Sequence, residues 1–351
     1  MYATSSPTPE LDVFVSLTKA DLHLHLVGSA SPHTVASLAA AHPDGGVPTD
    51  LDELRAFYAF SGFAHFLAVY TAISNLLRTP EDIVTLVVGL GEDLARQGTA
   101  YAEVTVTPFS HRRAGIAPDE LAAALEVGAR RARDDRGVEV AYVYDISAAD
   151  GEPGAAFTLE AALRHPPAGL VGFGLGGPEE GVRRADFAPY FAAARAAGLH
   201  SVPHAGESVG PSEIYAALDL LGAERIGHGI AAASDEELLA RLADDGVTLE
   251  VCPSSNVATG IVRSLGEHPL ARLLEAGVPV VLCSDDPPMF ATTLPEEYRR
   301  ARDEVGLSEE ALQALARRSI EASFAPVELK RRLLEARGAG ASQEGTDTSR
   351  S

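Results

Sequence analysis

The stretch ADLHLHLVGSA, residues 20–30, places two histidines two positions apart in a run rich in leucine. A short apolar run of this kind predicts a buried β-strand, in which residues i and i+2 point to the same side. His23 and His25 would then face one point, and a buried imidazole needs a partner for each ring nitrogen. From these residues alone, two interpretations stay open: a pair of hydrogen-bonded core histidines, or part of a metal site.

Seven more short apolar runs follow along the chain and alternate with helical stretches. Their continuous apolar character is typical of parallel strands that are buried on both faces. We therefore predict an α/β fold: a single (β/α)8 TIM barrel with a helical insertion between strands 1 and 2. The eight predicted strands are residues 20–26, 100–106, 138–146, 169–177, 199–207, 225–230, 247–255 and 278–286.

Capping residues mark where two of the helices begin and end. Thr79 and Pro80 predict the start of a helix that stops at Gly98. Ser234 with Glu237 predicts a capping box for a later helix.

The predicted insertion, about residues 29–98, contains the aromatic segment FYAFSGFAHFLAVY at 57–70. Such a segment is more often core than a cofactor site, but here it could also cover the mouth of the barrel.

Length and composition fit one soluble domain. The 351 residues suit a barrel of about 250 residues with insertions, which we place at residues 11–337. The polar ends, 1–10 and 338–351, are expected to be disordered.

No apolar run approaches the roughly 18 residues of a membrane span, and no signal peptide is readable at the N-terminus. Two cysteines in apolar runs give no disulfide framework, so we expect a cytoplasmic protein.

The net charge of −22 argues against nucleic-acid binding, which favours a basic stripe. We expect a small-molecule partner, with no nucleic acid and no membrane. The sequence does not indicate an oligomeric state.

Polar residues collect at the predicted carboxyl ends of the strands, the face of a barrel on which active sites are built. Independent core histidines would not share one rim, so this pattern favours the metal site. Asp285 and Asp286 are adjacent, and their side chains should therefore have separate roles. The residues at the rim are His23, His25, Gly176, Gly177, His204, Glu207, His228, Asp285 and Asp286.

Three histidines and a carboxylate are suitable zinc ligands, and a catalytic zinc site keeps one position open for water. We predict one Zn²⁺ per chain, held by His23, His25, His204 and Asp285. A binuclear barrel hydrolase is the alternative, but it ordinarily bridges its metals with a modified lysine at the end of strand 4. The chain has no lysine between residues 20 and 329, and Glu179 is the nearest carboxylate that could replace one.

These motifs, in this order and at these strand ends, resemble the adenosine deaminase family of zinc-dependent purine deaminases. The resemblance covers nearly the whole chain and looks closest to bacterial members. It rests on KADLHLHLVGS (19–29), VGFGLGGPEE (171–180), HAGE (204–207), RIGHG (225–229), EVCPSSNV (250–257) and SDDPPMFATTL (284–294).

The resemblance implies roles for the matching residues beyond the same four zinc ligands. Glu207 would donate a proton to purine N1 while water attacks C6, and His228 would orient that water. Asp286 would hydrogen-bond N7, and the backbone N–H of Gly177 would contact N3. The P-C-x-x-C signature of the other zinc deaminase class is absent from the sequence.

Two positions depart from the family's nucleoside deaminases. Val27 stands where they commonly have an aspartate that contacts the 5′-hydroxyl, and Pro178 stands where adenosine deaminases often have aspartate. The leading interpretation is hydrolytic deamination of adenosine or a 5′-modified adenosine to the 6-oxopurine and ammonia. The alternatives are adenine or 6-aminodeoxyfutalosine deamination and, in another class, a catalytically silent purine-binding zinc protein.

Overall fold

The computed structural model describes residues 9–59 and 63–343. Most of the predicted disordered ends, residues 1–8 and 344–351, lie outside these ranges and stay predictions. Residues 9–10 and 338–343, which we assigned to those ends, belong to the first and last helices.

Eight parallel strands form the centre of the fold, in the order β1 to β8, as in a TIM barrel. Each strand pairs with its sequence neighbour, which is the register that βα repeats produce. The strands are β1 Lys19–His25, β2 Thr99–Val106, β3 Glu139–Ser147, β4 Leu170–Gly176, β5 His200–Ala205, β6 Arg225–His228, β7 Thr248–Val251 and β8 Val280–Leu282.

The last strands are shorter than the sequence predicts. β7 ends at Val251 and β8 at Leu282, so Asp285 and Asp286 lie in the loop that follows β8. An isolated bridge joins Asp285 to Leu24 and brings the end of the β8 segment back to β1. The Asp285 N–H donates to the His23 carbonyl at 2.9 Å, and the His25 N–H donates to the Asp285 carbonyl at 3.2 Å. This bridge nearly closes the barrel.

Helices cover the outside of the barrel. Apolar residues from the strands and helices pack between these two layers, in one cluster beside β1–β4 and another beside β5–β8. In the described ranges the α-helices are α1 Pro9–Ser16, α2 Pro32–Ala41, α3 Leu51–Phe57, α4 Phe63–Ser74, α5 Pro80–Arg96, α6 Pro108–Arg113, α7 Pro118–Arg136, α8 Gly151–Arg164, α9 Ala188–Ala196, α10 Ser212–Ala216, α11 Glu236–Asp245, α12 Pro253–Ala258, α13 Leu270–Glu275, α14 Leu294–Asp303, α15 Glu309–Glu321 and α16 Val327–Gln343.

The cap predictions have different outcomes for α5 and α11. Thr79 caps α5 as predicted: its side chain accepts from the Asp82 N–H, and Pro80 follows it. The prediction for α11 is wrong by one residue, because Asp235 is the N-cap and accepts from the Leu238 N–H. Ser234 instead donates to the Ala231 carbonyl. A carboxylate one position further along competes successfully for the free N–H groups.

Helices α2 to α5 lie between β1 and β2, in the segment where the sequence predicts a helical insertion. Phe66 of α4 stacks on Phe290, which follows β8, with ring centroids 5.4 Å apart. Helix α4 therefore lies against the loop that carries Asp285 and Asp286. Of the aromatic segment 57–70, residues 60–62 lie outside the described ranges. No helix in the described part of the chain is long and apolar enough to span a membrane.

Candidate active site

Three histidines from β1 and β5 meet at the carboxyl end of the barrel. Their ligand nitrogens all lie within 4.8 Å of one another. Nε2 of His25 is 3.2 Å from Nε2 of His204. Oδ1 of Asp285 is 3.3 Å from His25 Nε2 and 3.8 Å from His23 Nε2. The structure thus brings together all four residues that the sequence predicts as metal ligands.

The Nδ1 atoms of His23 and His204 already have hydrogen-bond partners, which orients their Nε2 atoms toward the centre of the cluster. His23 Nδ1 lies 2.9 Å from Oε2 of Glu250, and His204 Nδ1 lies 3.1 Å from the Leu175 carbonyl. His23 Nε2 is buried and has no hydrogen-bond partner. Such an orphaned nitrogen beside two imidazoles and a carboxylate fits a divalent cation such as Zn²⁺, and hydrogen bonds to the outer nitrogens are usual for metal-binding histidines.

Glycine at position 227 of β6 allows the imidazoles to approach one another. A Cβ atom there would lie 2.7 Å from Cε1 of His23 and 3.1 Å from Cγ of His204. The ring centroids of these two histidines are 4.5 Å apart. Any side chain larger than hydrogen would displace at least one ring.

A network of buried charged side chains continues from His23 into the barrel. Glu250 accepts from Arg225 Nε at 2.7 Å, and the same guanidinium pairs with Glu103. The guanidinium also lies over the ring of Phe324, 3.9 Å from its centroid. All three charged side chains are buried, so each depends on the others for compensation of its charge. The sequence analysis did not single out any residue of this network.

His228, the last residue of β6, lies against the histidine cluster, with its ring centroid 4.9 Å from that of His23. Its Nε2 lies 3.7 Å from Oε2 of Glu207 and 3.9 Å from Oδ2 of Asp285. Its Nδ1 lies 3.4 Å from the amide nitrogen of Asn256, and Oδ1 of Asn256 is 3.1 Å from His268. With that amide as the donor, Nδ1 accepts and Nε2 carries the ring proton toward the site.

Two of the site residues have a left-handed backbone that non-glycine residues seldom adopt. The φ angle is +60° at His228 and +64° at Asp285. Such strain persists only where the surrounding structure enforces it, and it concentrates at functional sites. Here it coincides with the two residues that turn their side chains toward the same centre.

Burial and neighbouring charges shift the pKa values of the acids at the site in opposite directions. Burial alone would raise the pKa of Asp285, but the surrounding histidines outweigh it and hold that pKa below its usual value. Burial raises the pKa of Glu207 above its usual value. Burial and then the charge of Asp285 raise the pKa of Asp286 well above its usual value. Asp285 is therefore the acid that stays ionised, whereas Glu207 and Asp286 are suited to hold protons.

The three predicted purine-contacting residues have different surroundings. Asp286 rests against Gly28, where a Cβ atom would fall 1.4 Å from its Oδ1, an oxygen without a hydrogen-bond partner. Val27 is buried in the apolar cluster that contains Phe66 and Phe290. Gly177 is exposed at the rim.

Asp145, near the end of β3, is a site residue that the sequence analysis missed. It accepts from the Thr107 hydroxyl at 2.6 Å. A Cβ atom on Gly176 would lie 2.9 Å from Asp145 Oδ2 and 3.5 Å from Cε1 of His204, so the carboxylate stands beside a candidate ligand. Its only sequence signal is a charged residue within an apolar strand.

Glu179 does not support the binuclear alternative. Its carboxylate accepts hydrogen bonds from the backbone N–H groups of residues 206–209 and from Arg184. The oxygens that would have to bridge two metals are thus occupied by donors.

Comparison with known proteins points to one family. The sequence profile described as adenosine deaminase matches residues 18–337. The chain belongs to the adenosine deaminase family. It is 48% identical over 318 residues to the aminodeoxyfutalosine deaminase of Streptomyces avermitilis, covering 90% of this chain and 89% of that one. It is 38% identical to the adenine deaminase of Rhizobium leguminosarum bv. trifolii, covering 91% and 98%.

One solved structure is similar to this chain in both fold and sequence. The adenine deaminase from Arthrobacter aurescens superposes with a TM-score of 0.86 at 30% identity, covering 92% of this chain and 99% of that one. The protein is thus a hydrolase of the adenosine deaminase type, which acts on the cyclic amidine C–N bond of a purine. The family resemblance seen in the sequence and the predicted barrel are both confirmed.

Proposed function

We propose that this chain hydrolyses the C6 amino group of 6-aminodeoxyfutalosine, a 6-aminopurine nucleoside extended beyond C5′. The observation that carries the proposal is the 48% identity to a relative named for that activity, against 38% to one named for adenine. The apolar surroundings of Val27 support it, because they suit a sugar end without a free 5′-hydroxyl. Adenosine, the leading substrate from the sequence, becomes a weaker candidate for the same reason.

In this proposal His23, His25, His204 and Asp285 hold one Zn²⁺. A Zn²⁺ ion held there would supply water of lowered pKa as the nucleophile at neutral pH. The orphaned Nε2 of His23 is the observation that most directly favours a metal in this place.

The remaining residues act on the water and the purine. His228 presents its Nε2 proton beside Glu207 and Asp285 and orients the attacking water. The water oxygen bonds to C6 while Glu207 delivers its proton to N1, which makes the ring a better electrophile. The C6–N6 bond then breaks: one proton of the attacking water passes to N6 so that ammonia leaves, the other restores the Glu207 carboxyl, and N1–H and the new C6=O remain on the product.

Asp286 and Gly177 would fix the purine in the site. Purine N7 is an acceptor, so the Asp286 carboxyl must carry the hydrogen of that bond. The Gly177 N–H would contact N3 from the rim. A silent binding protein would need no proton donor, and the pair of Glu207 and His228, whose Oε2 and Nε2 atoms are 3.7 Å apart, supports a catalytic protein instead.

Ammonia release on a panel of purines tests the proposal. The panel contains 6-aminodeoxyfutalosine, 5′-deoxyadenosine, adenosine and adenine, assayed with zinc-loaded protein. We expect the highest kcat/KM for 6-aminodeoxyfutalosine. The highest value for adenine or adenosine would overturn the substrate assignment, and no ammonia from any of the four would favour the silent protein.

A further inference from the structure

Four consecutive backbone N–H groups converge on one buried carboxylate behind the site. Gly206 donates to Oε1 of Glu179 at 2.7 Å. Residues 207, 208 and 209 donate to Oε2 at 3.0, 2.7 and 3.3 Å, and the Ser208 hydroxyl adds a fifth bond at 3.1 Å. The loop that carries Glu207 is thus wrapped around Glu179, which lies 28 residues earlier in the chain.

Arg184 connects the same carboxylate to a candidate metal ligand. One terminal nitrogen of its buried guanidinium donates to Glu179 Oε1 at 3.1 Å and to the carbonyl of His204 at 2.6 Å. The other terminal nitrogen pairs with Glu213. The pair Glu179–Arg184 therefore holds the backbone at both ends of the HAGE motif, residues 204–207.

We infer that Glu179, held by Arg184, is a positioning residue for proton transfer: it fixes the backbone of residues 206–209 so that the Glu207 carboxyl meets purine N1. The inference rests on the proposed function, in which Glu207 supplies that proton. Glu179 itself contacts no reacting atom.

The physical basis is that proton transfer tolerates little displacement of the proton donor from its acceptor. A general acid must lie within about 2.6–3.2 Å of its acceptor, and a displacement of about 1 Å can cost 10²-fold in rate. Glu207 follows Gly206, whose φ of +67° makes the loop turn sharply. Such a loop lacks the repeated hydrogen bonds of a helix or strand, so the Glu179 carboxylate supplies the fixed acceptor that they would provide.

Glu179→Gln is the direct test. Whichever way the amide lies, its NH2 faces N–H donors, and at least one of the bonds to residues 206–209 is lost. We expect kcat to fall by about 10- to 100-fold, with KM within threefold and one zinc per chain retained. Glu179→Asp keeps the charge and should recover part of kcat. Glu180→Gln makes the same charge change on an adjacent exposed residue and should match the wild type.

A double-mutant cycle with Glu207→Gln separates positioning from general damage. Glu207→Gln should lower kcat by about 10²–10⁴-fold. If Glu179 acts through Glu207, then Glu179→Gln in that background should change kcat by less than about twofold. Multiplicative losses, or a Glu179→Gln variant within twofold of the wild type, would overturn the inference. Turnover by Glu207→Gln near the wild-type rate would instead contradict the proposed function.

Discussion

Glu250 Oε2 lies 2.9 Å from Nδ1 of His23, while its other oxygen accepts from Arg225 at 2.7 Å. One carboxylate therefore orients a candidate metal ligand and balances a buried cation. The ring atom of His23 that faces the site, Nε2, is fixed from behind by a residue on another strand.

Replacing Glu250 should weaken metal binding without removing a ligand. In Glu250→Gln the amide oxygen can still face His23, but the NH2 group then faces the Arg225 donor, and the histidine loses a charged partner. We expect zinc affinity to fall by about 10- to 100-fold, measured by competition with a chelating indicator. The control is Glu224→Gln, which alters a surface pair with His200 of similar length, 2.8 Å. Equal zinc affinity in the two variants would contradict the role of Glu250.

Removing the metal should abolish activity and lower stability together. We expect chelator-treated protein to release no ammonia and to regain activity with Zn²⁺, whereas His23→Ala should not recover. Zinc at a thousandfold excess over its Kd should add about 4 kcal/mol to the free energy of unfolding. Metal analysis and thermal unfolding check these two expectations. Full activity after exhaustive chelation would exclude the proposed metal site.

Gly227→Ala should disrupt the site by steric contact alone. The new methyl group would lie 2.7 Å from Cε1 of His23, and so one ligand ring must move. We expect loss of tight zinc binding and at least 100-fold lower kcat/KM. Gly210→Ala is the matched control, because a Cβ atom there meets nothing within 4 Å. Zinc titration and ammonia release should leave the control unchanged, and the same result for Gly227→Ala would show that the rings adapt.

A 7-deaza substrate tests the contact that we assign to Asp286. Carbon replaces the N7 acceptor in that compound, so the proton of the Asp286 carboxyl is left without a partner. We expect kcat/KM to fall by about 10-fold or more relative to the parent nucleoside, since an unpaired buried polar group costs about 1–3 kcal/mol. In an Asp286→Ala variant the two substrates should react at similar rates. Equal efficiency for both substrates in the wild type would remove this role from Asp286.

Val27 should set the preference at the 5′ end of the sugar. An apolar side chain cannot accept a hydrogen bond from a 5′-hydroxyl, and burying that hydroxyl unpaired costs about 1–3 kcal/mol, or about 5- to 150-fold in kcat/KM. We therefore expect 5′-deoxyadenosine to match or exceed adenosine, and Val27→Asp to shift the preference toward adenosine with zinc content unchanged. A wild type that prefers adenosine tenfold over every 5′-modified analogue would refute this.

The strands and the grouping of the candidate ligands at one end of the barrel were predictable because their signals are local. Apolar runs mark the strands, and a parallel barrel places the ends of all strands on one face, so His204 and Asp285 could be grouped with β1 without knowledge of any distance. The partners behind them could not be predicted in this way. Glu250 meets His23 across 227 positions, and nothing in its own neighbourhood in the sequence shows which histidine it contacts. Glu179 gives no local sign that it binds the backbone of residues 206–209.

Shifts of a few residues in where a helix starts or a strand ends could not be predicted from the sequence either. Ser234 and Asp235 are both good capping residues, and only the course of the chain into α11 selects the second. The lengths of β7 and β8 depend on where neighbouring strands stop pairing, which apolar runs alone do not reveal.

The bridge between Leu24 and Asp285 has a consequence for biosynthesis. The proposed ligands come from the first strand, the fifth strand and the loop after the eighth, so a nascent chain on the ribosome carries three histidines well before the aspartate emerges. The residue that completes the proposed metal site is also the residue that joins the last strand segment to the first. Completion of the proposed ligand set therefore coincides with closure of the barrel, and a chain that ends before Asp285 lacks one of the four proposed ligands.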